Sequence, residues 1–242
     1  MDAPELARRQ AAAWGLRLDA GRLGRLGEFA RFLSDYEEAN VIGTREVGEV
    51  LLEHVLDSLS CFLFEPVGEA ERLADVGSGG GLPGLPIKLA APRVGVTLIE
   101  ATAKKARFLR RAVEALAVDG VEVVNGRAEE VGRAREHRGV YDVTTVRAVA
   151  RLAVVAEYCV PLLRVGGHAV LMKGRLEGGE VSEGQRAVDS LGAEVSEVIR
   201  VPRLPEIGEK HRSLVVVRKV GETPDRYPRS VGTPARKPLG MV

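Results

Sequence analysis

The residues of this chain best suited to chemistry sit in one stretch, Leu73-Ala74-Asp75-Val76-Gly77-Ser78-Gly79-Gly80-Gly81-Leu82-Pro83-Gly84. A short apolar run ends in an acid, five glycine or serine positions follow, and Pro83 opens a segment patterned as a helix. Glycine takes positive φ without penalty and lets a ligand lie directly on the backbone. Proline suits a first helical turn, where its missing N–H costs little. Ligands bind beyond the carboxyl ends of strands in open α/β sheets, so this turn is expected to floor a pocket. Gly79-x-Gly81-x-x-Gly84 formally fits the dinucleotide fingerprint. Two features favour a ligand without phosphate. Asp75 would repel a pyrophosphate and attract an ammonium, and Pro83 removes a donor that would otherwise face phosphate. S-adenosylmethionine, which carries a sulfonium and an ammonium, fits better. No Gly-Lys-Ser/Thr follows, which excludes a nucleoside-triphosphate loop.

Two further positions belong with the turn. Leu98-Ile99 leads into Glu100, about 20 residues beyond the glycines, where a carboxylate takes both hydroxyls of a ribose. Gly126-Arg127-Ala128-Glu129 follows the next apolar run and offers a backbone N–H and a side chain to an adenine edge. Glu100 serves NAD and S-adenosylmethionine alike, so an NAD-dependent oxidoreductase stays open here.

The elements that must carry these residues alternate from Arg72 onward. Strands are expected at Leu73–Val76, Val96–Ile99, Val121–Val124, Val143–Val146, Ala169–Met172, Val195–Val201 and Leu214–Val220. Helices are expected between them at 83–91, 103–117, 151–163 and 177–191. The fold class is α/β: a Rossmann-like, seven-stranded, mostly parallel twisted sheet whose last strand could insert antiparallel. Before it the pattern is helical, with Leu23, Leu26, Ala30 and Leu33 on one stripe and Val47, Val50, Leu51, Val55 and Leu59 on another. The expected division is a helical region at 1–66 packed on the main domain, a cofactor-binding domain at 67–221, and an extended basic tail at 222–242.

Bulk properties narrow the class. Two cysteines, Cys61 and Cys159, far apart and without CxxC spacing, argue against a disulfide scaffold and a zinc site. No apolar run reaches the ~20 residues that span a bilayer, and the N-terminus lacks a signal-like apolar stretch. A cytoplasmic protein, without membrane contact and monomeric, is expected. Residues 1–70 carry a net charge of −6 and the remaining 172 a net charge of +7, which suits a polyanionic partner for the latter.

Jointly the segments resemble the bacterial 16S ribosomal RNA guanine-N7 methyltransferases of the RsmG (GidB) type. The resemblance rests on His54-x-x-Asp57-Ser58-Leu59, the Asp75–Gly84 block, Lys105-x-Arg107-Phe108-Leu109, Arg127-x-Glu129 and Arg147-Ala148-Val149-Ala150. Met172-Lys173-Gly174, Arg212-x-Leu214-Val215-Val216 and Tyr227-Pro228-Arg229 continue it, in family order over roughly 30–240. The family's Asn-Leu-Thr motif is not reproduced in Asn40-Val41-Ile42-Gly43-Thr44, where only Asn40 matches. The resemblance implies a class I methyltransferase fold and S-adenosylmethionine contacts at Gly77, Leu82, Glu100, Ala101, Thr102, Ala128, Glu129 and Arg147, beside Asp75 and Gly79 of the turn. It implies a 16S ribosomal RNA or small-subunit partner, with N7 of a guanine as methyl acceptor.

Such a reaction needs alignment more than proton transfer, because N7 already bears an in-plane lone pair. The sequence agrees: His54, His137, His168 and His211 are scattered, with no metal spacing and no nucleophile set, so neither a catalytic base nor a metal is expected. Arginine can donate bidentately to guanine or phosphate. Arg127, Lys173 and Arg212 are therefore candidates for RNA, beside Arg147 in the pocket. The bland alternative for each is a local carboxylate, such as Glu129 or Glu130 for Arg127. Lys104, Arg107 and Arg111 share a helical face that is either solvated or RNA-facing. Arg226, Arg229, Arg236 and Lys237 have no acid after Asp225 in the tail. His54 and Asp57 are read as fixing the helical region to the sheet. A non-catalytic ribosome- or RNA-binding protein is the remaining reading, and the intact turn speaks against it.

Overall fold

Side-chain caps start the first two helices. Asp2 accepts from the Glu5 N–H ahead of α1 (Ala3–Ala13), and Asp19 from the Arg22 N–H ahead of α2 (Ala20–Asp35). The computed structural model describes residues 2–36, 44–147, 150–176, 178–208 and 210–240. Asn40–Gly43, and Ala148 and Val149 of the Arg147 block, lie outside the described residues.

The second apolar stripe does not make one regular helix. It makes α3 (Val47–Val50), a π-helical turn (Leu51–Leu56), α4 (Asp57–Leu59) and a 3-10 turn (Ser60–Leu63), followed by α5 (Pro66–Glu69). Wide turns of this kind are frequent at functional sites.

The sheet comprises β1 (Arg72–Val76), β2 (Gly95–Glu100), β3 (Val121–Asn125), β4 (Tyr141–Arg147), β5 (Leu163–Lys173), β6 (Ala193–Arg200) and β7 (Ser213–Lys219). The order is β3-β2-β1-β4-β5-β7-β6. β7 alone runs antiparallel, inserted between β5 and β6 and paired with both. The expected strands are all present. β5 starts six residues earlier than its apolar run, because Gly166-Gly167 looks like a break in sequence yet lies within the strand. The crossovers are α6 (Gly84–Ala90), α7 (Ala103–Ala115), α8 (Ala128–Val131), α9 (Leu152–Cys159) and α10 (Glu180–Ser190). α8 is too short to show a helical period.

Alternation along the strands feeds two cores. Leu73, Leu98, Val170 and Val216 face the side covered by α1, α2, α6 and α7. Ala74, Ile99, Leu171 and Val215 face α9 and α10. Burial on both faces is what a sheet covered on both sides requires. The N-terminal helices therefore share one continuous core with the sheet.

The chain after β7 does not extend into solvent. Arg138 holds it through the carbonyls of Tyr227 (2.7 Å) and Thr223 (2.8 Å), and the Thr223 hydroxyl donates to the Leu191 carbonyl at 2.8 Å. A last short helix, α11 (Thr233–Arg236), packs on α9. Among the described residues, no helix is long and apolar enough to cross a membrane, and no group of three or more His, Cys, Asp or Glu is placed to hold a metal.

Candidate functional site

The glycine turn hangs from β2. Gly77 and Ser78 N–H both donate to the Ile99 carbonyl, at 2.8 and 3.0 Å, and the Ser78 hydroxyl donates to the Asp75 carbonyl at 2.9 Å. Its glycines divide into two kinds. A Cβ at Gly81 would fall 2.6 Å from Leu85 Cδ1, and one at Gly84 would fall 2.5 Å from Leu98 Cδ2. These two are required by packing. Gly77 (φ +71°) and Gly79 (φ +55°) instead border open space: a Cβ at Gly77 would meet nothing within 4 Å, and one at Gly79 only the Gly77 carbonyl at 3.8 Å. There glycine is favoured by its positive φ, and the space beside the backbone forms an open cradle. Two of the three glycines in the formal dinucleotide fingerprint are thus explained by packing. Leu82, almost fully buried, closes the underside of the turn.

Asp75 lies near the end of β1, just before this turn. It is fully buried, and its oxygens accept from the Gly84 N–H (3.1 Å) and the Thr145 hydroxyl (3.1 Å). Beside the attraction of a ligand ammonium expected from its place at the strand end, Asp75 ties β1 to β4 and to the start of α6. Burial pushes its carboxyl up to about 6, against the opposing pull of those hydrogen bonds and of Arg147.

Glu100 does face the turn. One oxygen accepts from the Gly79 N–H at 2.9 Å and the other from the Thr102 N–H at 2.7 Å. A carboxylate has further lone pairs for two hydroxyls. Ala101 and Thr102 form the rim beside it. Asn125 and Gly126 bond to the Glu100 carbonyl and so align β3's end with β2's. Beyond them Arg127 caps α8, with its backbone N–H donating to the Glu130 side chain at 3.3 Å and its own side chain exposed. Ala128 is half-buried. Glu129 is buried and accepts from the Gly232 N–H at 2.8 Å, a partner 103 residues away that nothing in the sequence signals.

Arg147, at the end of β4, donates to the His54 carbonyl at 3.3 Å and lies 3.9 Å from Asp57. Arg212 binds both Asp57 oxygens through Nε, at 3.1 and 3.2 Å. Arg203, Lys210 and Glu53 join the same cluster, and none of the three was singled out from sequence. Burial first, and then the Arg147 charge, depress the His54 pKa, so its imidazole is held neutral. Lys173 is drawn inward: it is 8% exposed, donates to the Ala150 carbonyl at 2.6 Å and pairs with Glu180 at 2.7 Å. It is not the open cation that the strand-end position suggested, and its carboxylate lies seven residues on. Arg229 also departs from expectation, because its acid is the fully buried Glu157, bound at 2.7 Å from a distant helix.

Comparison with known proteins bears on this geometry. Residues 24–211 match the family described as rRNA small subunit methyltransferase G (GidB). The ribosomal RNA small subunit methyltransferase G of Rubrobacter xylanophilus is 58% identical over 238 residues, covering 98% of this chain and 91% of that one. The chain belongs to this family. The protein of the same name from Chloroflexus aggregans is 42% identical, covering 94% of each chain. Among solved structures, the O-methyltransferase of a Brevibacillus brevis trans-AT PKS multienzyme, in complex with S-adenosyl-L-homocysteine, superposes with a TM-score of 0.51. It is 12% identical and covers 69% of this chain and 72% of that one, a likeness of fold. Family membership makes the chain a methyltransferase and decides between the readings of the turn, against an oxidoreductase and against a non-catalytic binder.

Proposed function

We propose that this methyltransferase binds S-adenosylmethionine over Gly77 and Gly79 and methylates N7 of a guanine in small-subunit (16S) ribosomal RNA. The observation that carries the reading is the open cradle above these two glycines with the Glu100 carboxylate on its wall. Glu100 is assigned to the ribose. Ala101, Thr102, Ala128 and Glu129 are assigned to the adenine side, with Leu82 beneath and Arg147 at the methyl-donor end. S-adenosylmethionine supplies an electrophilic methyl group when bound.

The chain's own residues have a limited task. Guanine N7 attacks without losing a proton, so no base need be near, and the neutral His54 is not required as one. The site must hold the base plane in line with the methyl group and exclude water. Positive charge appears on the base, so cations should contact phosphate or O6 and leave N7 free. Arg127, exposed at the α8 start, and Arg212 suit that role. Lys173 would have to leave Glu180 first. The reading includes action as a cytoplasmic monomer and the division into 1–66, 67–221 and a tail from 222. The deciding experiment incubates the purified chain with labelled S-adenosylmethionine and small ribosomal subunits or 16S RNA, then maps the modified base. Methyl transfer to a single guanine is expected. Label appearing elsewhere, or NAD rather than S-adenosylhomocysteine binding on titration, would sink the reading.

A further inference from the structure

Asp57 stands at the centre of a charge cluster larger than helix docking needs. Its side chain is 3% exposed and lies where the π-helical turn Leu51–Leu56 meets α4. Three guanidinium groups converge on it: Arg212 at 3.1 Å, Arg147 at 3.9 Å and Arg203 at 4.0 Å. They come from the end of β4, the segment after β6 and the residue before β7, so nothing in local sequence brings them together. The His54 carbonyl, in the wide turn, accepts from Arg147 as well. Glu53 takes Arg203 at 2.8 Å, and Lys210.

Among the described residues, two carboxylates thus pair with four cations, with Asp75 a further negative charge acting on Arg147, which leaves a positive excess. An ion pair that only docks a helix needs one partner, and apolar contact would do as well or better. A surplus of partly buried cations is unfavourable until an anion completes it. Arg212 and Arg147 are 28% and 26% exposed, open enough for one to reach. The place is also specific. β4 pairs with β1 in parallel, with Thr145 opposite Asp75, so Arg147 ends β4 beside the strand end from which the glycine turn starts.

We propose that Asp57 is a positioning residue for the RNA substrate: it fixes Arg212, 28% exposed and backed by the buried Arg203, to take one phosphodiester near the target base, and turns Arg147 toward the cradle. Planar guanidinium groups bind phosphate oxygens bidentately, and only when their orientation is fixed. A phosphodiester is the favoured ligand over the base edge because N7 must remain unbonded to react. The inference rests on the proposed RNA methylation.

The test separates the two. If the unaltered chain binds S-adenosylhomocysteine but methylates no small-subunit RNA, the proposed function fails whatever Asp57 does. If it methylates, Asp57→Asn and Arg212→Lys are compared with it. The second keeps the charge and loses the Nε–H that reaches Asp57. Arg212→Lys is expected to keep S-adenosylhomocysteine affinity within about threefold, whereas Asp57→Asn also weakens it because Arg147 loses its anchor; each is expected to raise KM for RNA about tenfold, the scale of a charged hydrogen bond. The slope of log affinity against log salt should fall by roughly 0.7–0.9, one phosphate contact. The double variant should be no worse than the worse single one, because both remove the same arrangement. A lowered melting temperature with KM and slope unchanged would make Asp57 a purely structural residue and overturn the proposal, as would multiplying effects in the double variant. Should Asp57→Asn not fold, the partly exposed Arg212→Lys decides alone: wild-type KM and slope refute it.

Discussion

The glycines of the turn look alike in sequence and differ in what surrounds them. Gly79→Val places its Cβ in open space, with only a backbone oxygen at 3.8 Å, at a cost of roughly 1–3 kcal/mol for positive φ. The variant should fold, with a lowered melting temperature, and lose S-adenosylhomocysteine binding by calorimetry. Retained affinity would move the ligand elsewhere. Glu100→Ala should weaken that binding by about 1.5–3 kcal/mol, the range for hydrogen bonds to a charged group. Its stability should fall as well, because the Gly79 and Thr102 N–H groups lose their acceptor. Asp75 has a different signature. Its carboxyl is raised from 3.8 to about 6, so between these values the folded chain keeps a proton that the unfolded chain has released. Its contribution to stability therefore declines as pH rises through that window. Melting curves should show Asp75→Asn comparing more favourably with the unaltered chain at pH 7 than at pH 4.5; the reverse trend would mean an Asp75 stabilised as an anion.

At the scale of elements the tail carries the clearest consequence. Arg229 and the buried Glu157 tie it to α9, and Gly232 reaches Glu129 at the edge of the site. Removing one partner of a buried pair costs about 3–5 kcal/mol, because the other charge is stranded. Arg229→Ala should therefore lower the melting temperature clearly, and adding Glu157→Gln should restore part of it. Arg226, Arg236 and Lys237 are exposed. Changing these three to Ala should leave stability nearly untouched. If they touch phosphates, the salt slope of RNA binding flattens by roughly 0.7–0.9 per contact; an unchanged slope makes the tail a structural strap and moves attention to Lys104 and Arg107 on α7.

On the scale of the whole molecule, charge is divided along the chain but not in space. The acidic first 70 residues (net −6) share a core with the sheet and contribute Glu53 and Asp57 to the basic remainder. Part of the N-terminal negative charge pairs with cations of residues 71–242 and leaves the rest of their positive excess uncompensated by these two acids. RNA affinity should therefore fall steeply as salt is raised, while S-adenosylhomocysteine affinity changes little, because its pocket releases few counterions. Equal sensitivity of the two would count against a phosphate footprint on this surface.

What the amino-acid order determined alone was the backbone: the strand–helix alternation, the turn after β1, and the acid at the end of β2. These follow from hydrophobic period and from where glycine and proline are tolerated, which are properties of neighbouring residues. Family motifs could then be laid on that frame. The partners of charged side chains were left to the tertiary structure. Asp75 turned inward, Lys173 found Glu180, Arg229 found Glu157 across 72 residues, and Asp57 gathered Arg212 across 155. A charge in sequence states a need for compensation but not its source. The source is set by which elements the two cores bring together, because a carboxylate shielded from water takes whatever donors packing delivers to it.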